Sequence, residues 1–472
     1  MWASRNTRSA NVISSARNMR TTFHFRNLLF LGIILASLPT AAAAEDGPGP
    51  IPEGRETPFM KLWNPVKQAG IHGYAAFDYF SSDKSLTKNR HFPGLNLVLR
   101  SEPGFGDHVR LYGEARVMAQ DLNHSTTPNH WDGRTQTLYE EVTLELREGY
   151  VDVYAGDLEL RVGKQIIVWG RADEINPTDW LSARNLTLLF PDPFDQRIGV
   201  FGVKADYYLP KGFRVTGVWQ PVPTASVIPL PSVPGISFQQ QPPDVEIENG
   251  EFGFKLDQSG GDIEWSVSYF TGFNKLPEVN LIVPPPPVTV VELSHHRIHG
   301  AGADFVYIHG SWGFRGEGAY VHTKNSKGRR RDIQTPYAFY VLGIEKDFGN
   351  STNLIVQYYG RRVFHKYETV LGRPDDQLAQ YNALFTSQLD TWQNGVSVRF
   401  NKKWWNDTLD LDLTYVINFE RTNWFLRPKL TYDLTDEWKA TVGGEIYKGE
   451  NISQFGFLED NTTAFAEMRW SF

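Results

Sequence analysis

The sequence lacks cysteine, long apolar runs and the local motifs of common enzymes. Without cysteine among its 472 residues, the chain has no disulfide framework, no thiolate metal site and no cysteine nucleophile. After residue 44, no apolar run reaches the roughly 20 residues that a membrane-spanning helix needs. G-x-S-x-G, H-E-x-x-H and phosphate-binding glycine motifs are also missing. These absences favour a protein that is not an enzyme and that uses no cofactor and no metal.

Acidic residues are scarce only at the N-terminus. Residues 1–44 hold five arginines and no acid, followed by the apolar core Leu28–Leu38 and by Ala42-Ala43-Ala44. This pattern predicts a secretory signal peptide over residues 1–44, with translation starting at Met1 or Met19. Removing it leaves 42 basic against 54 acidic side chains, a net charge of −12. Such an acidic chain is a poor candidate for binding nucleic acid, which requires a basic surface.

What the remaining chain does contain is alternation of apolar and polar residues with period two. In "TLDLDLTY", Leu409, Leu411 and Leu413 face one way and the aspartates the other, and "IEWSVSYF" from Ile263 behaves alike. Soluble β-sandwiches alternate too, but these segments run to ten or more residues, whereas globular strands average about 5–6. A strand needs about 9–11 residues to cross a bilayer. The pattern, with 14% aromatic residues, favours a transmembrane barrel.

We predict an all-β fold: a single transmembrane antiparallel β-barrel over residues 69–472, preceded by a periplasmic lead over residues 45–68. About eighteen strands are expected, with sixteen possible, and the fifth and sixth span residues 158–169 and 196–208. Short and long connections alternate, apart from a tight link near Glu420. In bacterial barrels the short turns are periplasmic, the long loops are external, and an even strand number returns both termini to the periplasm.

The C-terminal segment "TTAFAEMRWSF" predicts a closing strand that ends in an aromatic residue. Ala464, Ala466, Met468 and Trp470 share its apolar face. A terminal aromatic resembles the ending that outer-membrane barrels present to their assembly machinery. We therefore expect the outer membrane of a Gram-negative cell, with its lipid, its lipopolysaccharide and the assembly machinery, through Phe472, as partners. The oligomeric state is left open.

The polar faces of the strands are expected to line the lumen. Because both charge signs occur there, the lumen is predicted to be wet. The charges could form a salt-bridged wall or two segregated ladders, and the sequence does not decide between these arrangements. His295, His296 and His299 are interpreted as solvated and not as a metal site, and the proline-rich stretches 220–244 and 283–288 as stiff external loops. The lumen-facing candidates are Arg161, Arg214, Lys255, Arg315, Arg399, Arg427, Lys429, Arg469, Glu264, Glu317, Asp410 and Asp412.

One long connection, Gly170 to Asp195, combines charge, proline and apolar residues. Pro177 and Thr178 predict a short helix to Arg184, and "LTLLF" would pack against a wall. We predict that this loop folds into the barrel and forms a constriction, although it could instead pack over the mouth for stability alone. The constriction candidates are Arg171, Asp173, Glu174, Asn176, Asp179, Arg184, Asp192 and Asp195.

The stretch "RVGKQIIVWGRADEINPTDWLSARNL" resembles a pattern, G-[RK]-Q-x-x-x-W-G then N-P-x-D, of uncharacterised porin-like outer-membrane families. "VGKQ" is also loosely similar to the strand before the inner loop of alginate-export barrels. The resemblance implies the fold and the location. Because a barrel of about 16–18 strands is wide enough for an aqueous channel, the sequence predicts a channel for passive or selective passage of small polar or charged solutes, narrowed by the 170–195 loop. Export of an alginate-like polysaccharide is an alternative, although the chain lacks a strongly basic constriction. A membrane-embedded enzyme or a closed structural barrel is a third possibility.

Overall fold

The computed structural model describes residues 70–82, 90–120, 135–139, 142–228, 236–282, 289–367 and 374–472. The predicted signal peptide, residues 1–44, and the predicted lead, residues 45–68, lie outside the described residues. Within the described part, long antiparallel strands dominate.

Eighteen long strands form one closed antiparallel sheet, and the short strands Gly104–Phe105 and Thr135–Tyr139 pair with two of them at the ends. Each strand pairs with its neighbours in the sequence, and β1 also pairs with β18 from Tyr74–Ser471 to Ser82–Thr463. The predicted number of eighteen is confirmed, and the alternative of sixteen is wrong. The strands are β1 (Ile71–Ser82), β2 (His91–Ser101), β3 (Val109–Gln120), β4 (Val142–Ala155), β5 (Leu158–Gln165), β6 (Val200–Leu209), β7 (Phe213–Gln220), β8 (Glu251–Gln258), β9 (Ile263–Phe273), β10 (Arg297–His309), β11 (Trp312–Thr323), β12 (Tyr337–Gly349), β13 (Thr352–Val363), β14 (Trp392–Trp404), β15 (Leu409–Asn418), β16 (Asn423–Asp433), β17 (Trp438–Lys448) and β18 (Thr463–Ser471).

The apolar faces of the strands point outward. On β9, Val267 and Tyr269 are exposed, while Ser266 and Ser268 are buried. This arrangement is the reverse of a water-soluble sandwich, whose apolar faces meet inside. The outer surface therefore suits lipid, and the inner surface carries polar and charged groups.

The two ends of the barrel differ. At one end, the turn end, the connections are short, and Gly73 and Phe472 exchange two backbone hydrogen bonds of 3.0 Å. At the other, the loop end, the connections are long apart from residues 419–422. The predicted alternation is thus present. The fifth strand, however, ends at Gln165 and not at residue 169, and the sixth begins at Val200, so the connection between them is residues 166–199.

The loop end has structure that the sequence did not reveal. Ile236–Gln241, Glu278–Ile282 and Thr289–Ser294 form a small sheet, and Pro374–Phe385 is a helix. These strands flank the predicted proline-rich loops, of which residues 229–235 and 283–288 are outside the described residues. Within the part of the chain that the structure describes, no helix is long and apolar enough to cross a membrane.

The histidine prediction is partly wrong. His295 is buried with Nδ1 2.8 Å from the Asn274 carbonyl, and His296 Nδ1 contacts the buried Glu278 carboxylate. These contacts hold both side chains at the loop end, so they are not simply solvated. His299 is exposed, and its Nδ1 lies 3.0 Å from the Tyr269 hydroxyl. Among the described residues, no group of three His, Asp or Glu side chains could hold a metal ion.

Replacing Leu342 by lysine tests which face meets lipid. Leu342 lies midway along β12 and is exposed on its outer face. A lysine at the bilayer midplane of a barrel costs about 2–4 kcal/mol, so Leu342→Lys should lower the free energy of unfolding in lipid vesicles by that amount. Urea unfolding of vesicle-inserted protein provides the measurement.

The matched control is Ile247→Lys, at a residue that is 81% exposed in the connection between β7 and β8. This substitution should leave the unfolding free energy nearly unchanged. An equal, small effect of both lysines would contradict a lipid-facing surface at Leu342.

Candidate functional site

Residues 166–199, which we call the inner segment, cross the interior of the barrel. On one side, Arg116 of β3 donates to the Asp195 carbonyl at 2.8 Å, and Arg147 of β4 lies 3.4 Å from the Asp195 carboxylate. On the other, the Gln357 amide of β13 exchanges hydrogen bonds of 2.9 and 2.8 Å with the backbone of Asp173. Strands β4 and β13 are half the circumference apart, so a segment that bonds to both passes through the interior.

The buried carboxylate of Glu317 on β11 anchors the start of this segment. One of its oxygens accepts from the backbone N–H groups of Arg171 and Ala172 at 2.9 and 3.0 Å. The other accepts from the Thr178 N–H and hydroxyl, both at 2.8 Å. A non-strand backbone inside a barrel must find such acceptors, because a buried N–H without a partner is costly.

Gly170 lets the backbone approach this carboxylate. Its φ is +99°, and a Cβ there would lie 2.5 Å from a Glu317 oxygen. Any side chain would collide with the carboxylate and would also strain the backbone. The Trp-Gly pair of the sequence pattern therefore marks the point where the chain leaves the wall.

The helix predicted over Thr178 to Arg184 is not present. Residues 177 and 178 form a turn, and Ala183–Arg184 pairs with Arg197–Ile198. The Thr178 groups that could have capped a helix bond to Glu317 instead. A short 3-10 helix lies later, at Pro193–Gln196, where Asp192 accepts from the Phe194 N–H at 2.9 Å.

Arg171 is the centre of a charged cluster against β8 to β11. Its guanidinium donates to Asp304 and to Glu264, each at 2.7 Å, and lies 3.6 Å from Asp257. Its own carbonyl accepts from Arg315 at 3.2 Å. Several strands thus hold one side chain of the inner segment, which fixes the segment's position across the interior.

A second charged cluster holds the next residues against β14 to β16. The Asp173 carboxylate lies 2.9 Å from Arg399, which also pairs with Asp412 at 2.5 Å. The Glu174 carboxylate pairs with Arg427. Burial raises the pKa of Glu174 above the ordinary value of a glutamate. The nearby Arg427 lowers this pKa but does not cancel the effect of burial.

Apolar side chains of the inner segment fit against glycines of the wall. Trp180 stacks on Phe270 with ring centroids 6.0 Å apart. A Cβ on Gly300 would come within 2.8 Å of the Trp180 ring, and one on Gly302 within 2.4 Å of the Thr178 methyl group. The missing side chains at these positions of β10 provide the space that the segment occupies.

The end of the inner segment packs against another part of the wall. Leu188 and Phe190 form a buried cluster with Met118 of β3, and the Arg116 guanidinium lies 4.7 Å from the centre of the Phe190 ring. Leu189 packs beside the phenylalanines of β1, β2 and β18. The "LLF" part of the "LTLLF" stretch therefore packs against the wall as predicted, whereas its first residue, Leu186, is exposed.

The remaining constriction candidates stabilise the segment itself. Asp179 pairs with Arg197 at 2.7 Å and lies 3.8 Å from the half-exposed Arg184. The Asn176 carbonyl accepts from the Asp179 N–H at 3.3 Å. The Asp179–Arg197 pair joins the middle of the segment to its end, and the other two contacts stabilise the chain around Asp179.

The lumen-facing candidates fall into three groups. Glu264, Glu317 and Arg315 surround Arg171, whereas Arg399, Arg427 and Asp412 surround Asp173 and Glu174. The others bond within the wall: Arg161 pairs with Asp152, Arg214 and Lys255 with Asp257, Asp410 with Asn401, and Arg469 with Glu467, while Lys429 lies on β16.

Sequence reasoning missed several residues that hold the segment. Asp304 and Gln357 bond to it from β10 and β13, and Arg116 and Arg147 from β3 and β4. Each lies on the polar side of an alternating strand, so the alternation could have indicated the inner face. Their partners could not be found without the register of the whole barrel.

Comparisons with known proteins identify the family and the fold. A family model described as "Protein of unknown function (DUF1302)" matches residues 104–472. The crystal structure of the outer membrane protein OpdK from Pseudomonas aeruginosa is 8% identical, with 85% of this chain and 98% of that chain covered and a TM-score of 0.50. OccK5 (OpdH) from Pseudomonas aeruginosa gives 9% identity, 85% and 96% coverage and a TM-score of 0.49. A search of the curated proteins found no match. The barrel fold is thus shared with OpdK.

Adding a methyl group at Gly300 should loosen the inner segment. Overpacking costs about 1–3 kcal/mol, which corresponds to about 5–150-fold in an opening equilibrium. Since the chain has no cysteine, Ala183→Cys introduces a single thiol at a fully buried position of the segment. When Gly300→Ala is added to this cysteine variant, maleimide should label the thiol about 5–150-fold faster than in the variant with Ala183→Cys alone.

The control is Gly217→Ala on β7, where no atom lies within 4 Å of the added Cβ. Its labelling rate should match that of the protein with Ala183→Cys alone. Equal rates in the Gly300 and Gly217 variants would mean that β10 does not hold the segment.

Proposed function

This chain belongs to the DUF1302 family of unknown function, and we propose that it is an outer-membrane channel for small polar or charged solutes. In this proposal, solutes pass by diffusion through a lumen that the inner segment narrows. The observation that carries the proposal is the crossing itself: charged residues fix a compact segment to opposite walls of a closed barrel. A barrel of about 16–18 strands is wide enough for an aqueous channel, and such a segment would make it selective.

The outer surface supports placement in a membrane. Exposed tryptophans lie beside the turns at the turn end, at Trp312, Trp404, Trp405 and Trp438. Aromatic residues such as Trp392 and Trp219 are exposed near the loop end. Two aromatic bands around an apolar belt are typical of outer-membrane barrels. We infer that the turn end is periplasmic and that Phe472 there presents the signal for barrel assembly.

Selectivity would come from the two charged clusters. Arg171 with its carboxylates and Asp173 with Arg399 lie along the crossing, so a solute passes close to fixed charges of both signs. Such charges act strongly in a narrow lumen with low-dielectric walls. A conduit for a bulky polysaccharide would need the segment to leave the interior, which single-channel conductance would reveal.

Removing the carboxylate of Glu317 should widen the channel. In Glu317→Gln one of the two carboxylate oxygens becomes an NH2 group, which then faces either the N–H groups of Arg171 and Ala172 or the N–H and hydroxyl of Thr178. One set of donors loses its acceptor and meets another donor, which adds repulsion. We expect a larger and noisier single-channel conductance in planar bilayers than for the unaltered protein.

Asp433→Asn provides the control, since this carboxylate lies at the turn end of β16 and pairs with Lys439 of the adjacent strand at 3.2 Å. Its conductance should stay close to that of the unaltered protein. If the folded, unaltered protein gives no discrete conductance steps, the channel proposal is wrong.

Acidification should make the channel more selective for anions. Because its pKa is raised, Glu174 takes up a proton at a pH where exposed glutamates remain ionised, which leaves the charge of Arg427 unbalanced. The pKa of Glu174 is higher when the segment is held inside the barrel than when it is released. Protonation therefore stabilises the held state, and the segment stays in place. Of the other charged groups around the same site, Asp173 and Asp412 raise the pKa of Glu174 further, whereas Arg399 lowers it. Reversal potentials in a salt gradient, measured as the pH falls, report the ratio of anion to cation permeability.

The variant Glu174→Gln should show the higher anion preference already at neutral pH and should lack this step of the titration. A step of unchanged size in the variant would assign the titration to another group.

A further inference from the structure

A cavity of about 230 Å³ opens between the start of the inner segment and the inner faces of β5 to β8. Four of its lining side chains are basic, and one is acidic, Asp206. The basic residues belong to four adjacent strands: Arg161, Lys204, Arg214 and Lys255. Charge of one sign is therefore concentrated in one part of the wall.

The cations cover the carboxylates that balance them. The side chains of Arg161, Lys204 and Arg214 are 21%, 22% and 39% exposed, whereas those of Asp206 and Asp257 are 3% and 4% exposed. Asp152, the partner of Arg161, is 1% exposed. A solute in the cavity meets ammonium and guanidinium groups, because the carboxylates lie behind them. Four cations against these three carboxylates also leave one positive charge in excess.

One donor in this cavity has no acceptor. Nε of Arg214 makes no hydrogen bond to any described residue, and the Asp206 oxygen 3.9 Å away is beyond hydrogen-bonding distance. This Nε is itself buried, and a buried donor without a partner calls for an acceptor that the described residues do not supply, such as a water molecule or an anion. A carboxylate can accept from a guanidinium through two oxygens, which makes it a suitable ligand.

The opposite side of the cavity is apolar. Ile166 and Val168 line it, and Val168 is exposed. Strand β5 ends at Gln165, so these residues belong to the inner segment and face the cations across the cavity. A ligand held here would place its charge on the wall and an apolar part against the segment.

We propose that this cavity is a binding subsite for organic carboxylates with a small apolar body. The inference rests on the proposed channel function, because it assigns the solute class to the same lumen. The solute's carboxylate binds between Lys204 and Arg214, and its hydrocarbon part contacts Val168. The excess positive charge attracts the anion, and the salt bridges to the buried aspartates keep the cations in place.

The test measures block of the chloride current by butyrate in single channels, with formate and the uncharged butyramide as comparison solutes. Butyrate should block at a lower concentration than either, since formate lacks the apolar body and butyramide lacks the charge. In Lys204→Met the half-blocking concentration of butyrate should rise about fivefold or more, the effect of one unit charge at contact distance in a wet site. Val168→Asp should weaken the block similarly and leaves the buried salt bridges intact, which covers the case that Lys204→Met does not fold.

The matched control is Lys439→Met, which removes another partly exposed lysine paired with an aspartate, Asp433, far from the cavity. Its half-blocking concentration should equal that of the unaltered protein. Equal effects of Lys204→Met and Lys439→Met, or equal block by butyrate and butyramide, would overturn the subsite. Chloride steps without any effect of butyrate would reject this inference alone, whereas the absence of steps would reject the channel itself.

Discussion

The inner segment depends on the carboxylate of Glu317. A barrel satisfies the backbone of its strands by pairing them, but a segment that leaves the wall loses these partners. Glu317 replaces them with two oxygens that accept three backbone N–H groups and one hydroxyl. Leaving a buried donor unpaired costs about 1–3 kcal/mol, so a single side chain decides whether this backbone can lie inside. The turn at Gly170 and the loss of the predicted helix at Thr178 are both consequences of this one contact.

The wall is adapted to the segment as well as the segment to the wall. Gly300 and Gly302 interrupt the polar face of β10, where a lumen-lining strand would otherwise carry polar side chains. Their absent side chains make room for Trp180 and Thr178. Asp304, two residues further along the same face, then reaches Arg171. Close packing and charge pairing therefore act together on one strand, and they hold the segment as a part of the barrel core.

Period-two alternation was sufficient to predict the strands, because each strand faces lipid on one side and polar groups on the other. Alternation failed where an apolar side chain is buried inside the barrel instead of facing lipid. Trp169 continues the pattern of β5 but is buried inside, so the strand ends at Gln165. Density of charge and proline marked residues 170–195, but their partners depend on register: Gln357 and Asp173 are far apart in the sequence. The small sheet and the helix at the loop end depend in the same way on contacts between distant connections.

The net charge of the chain does not reveal the charge that a solute meets. After removal of the predicted signal peptide the chain is acidic, yet the wall of β5 to β8 presents cations. The difference arises from depth: an aspartate has a short side chain and stays close to the backbone, whereas lysine and arginine extend past it. When such pairs form on the inner face of a strand, the carboxylate is buried and the cation reaches the lumen, as Lys204 and Asp206 show. A barrel can therefore combine an acidic composition with a locally basic lumen. The sign of the charge that faces the lumen follows from which side chain of each ion pair is longer.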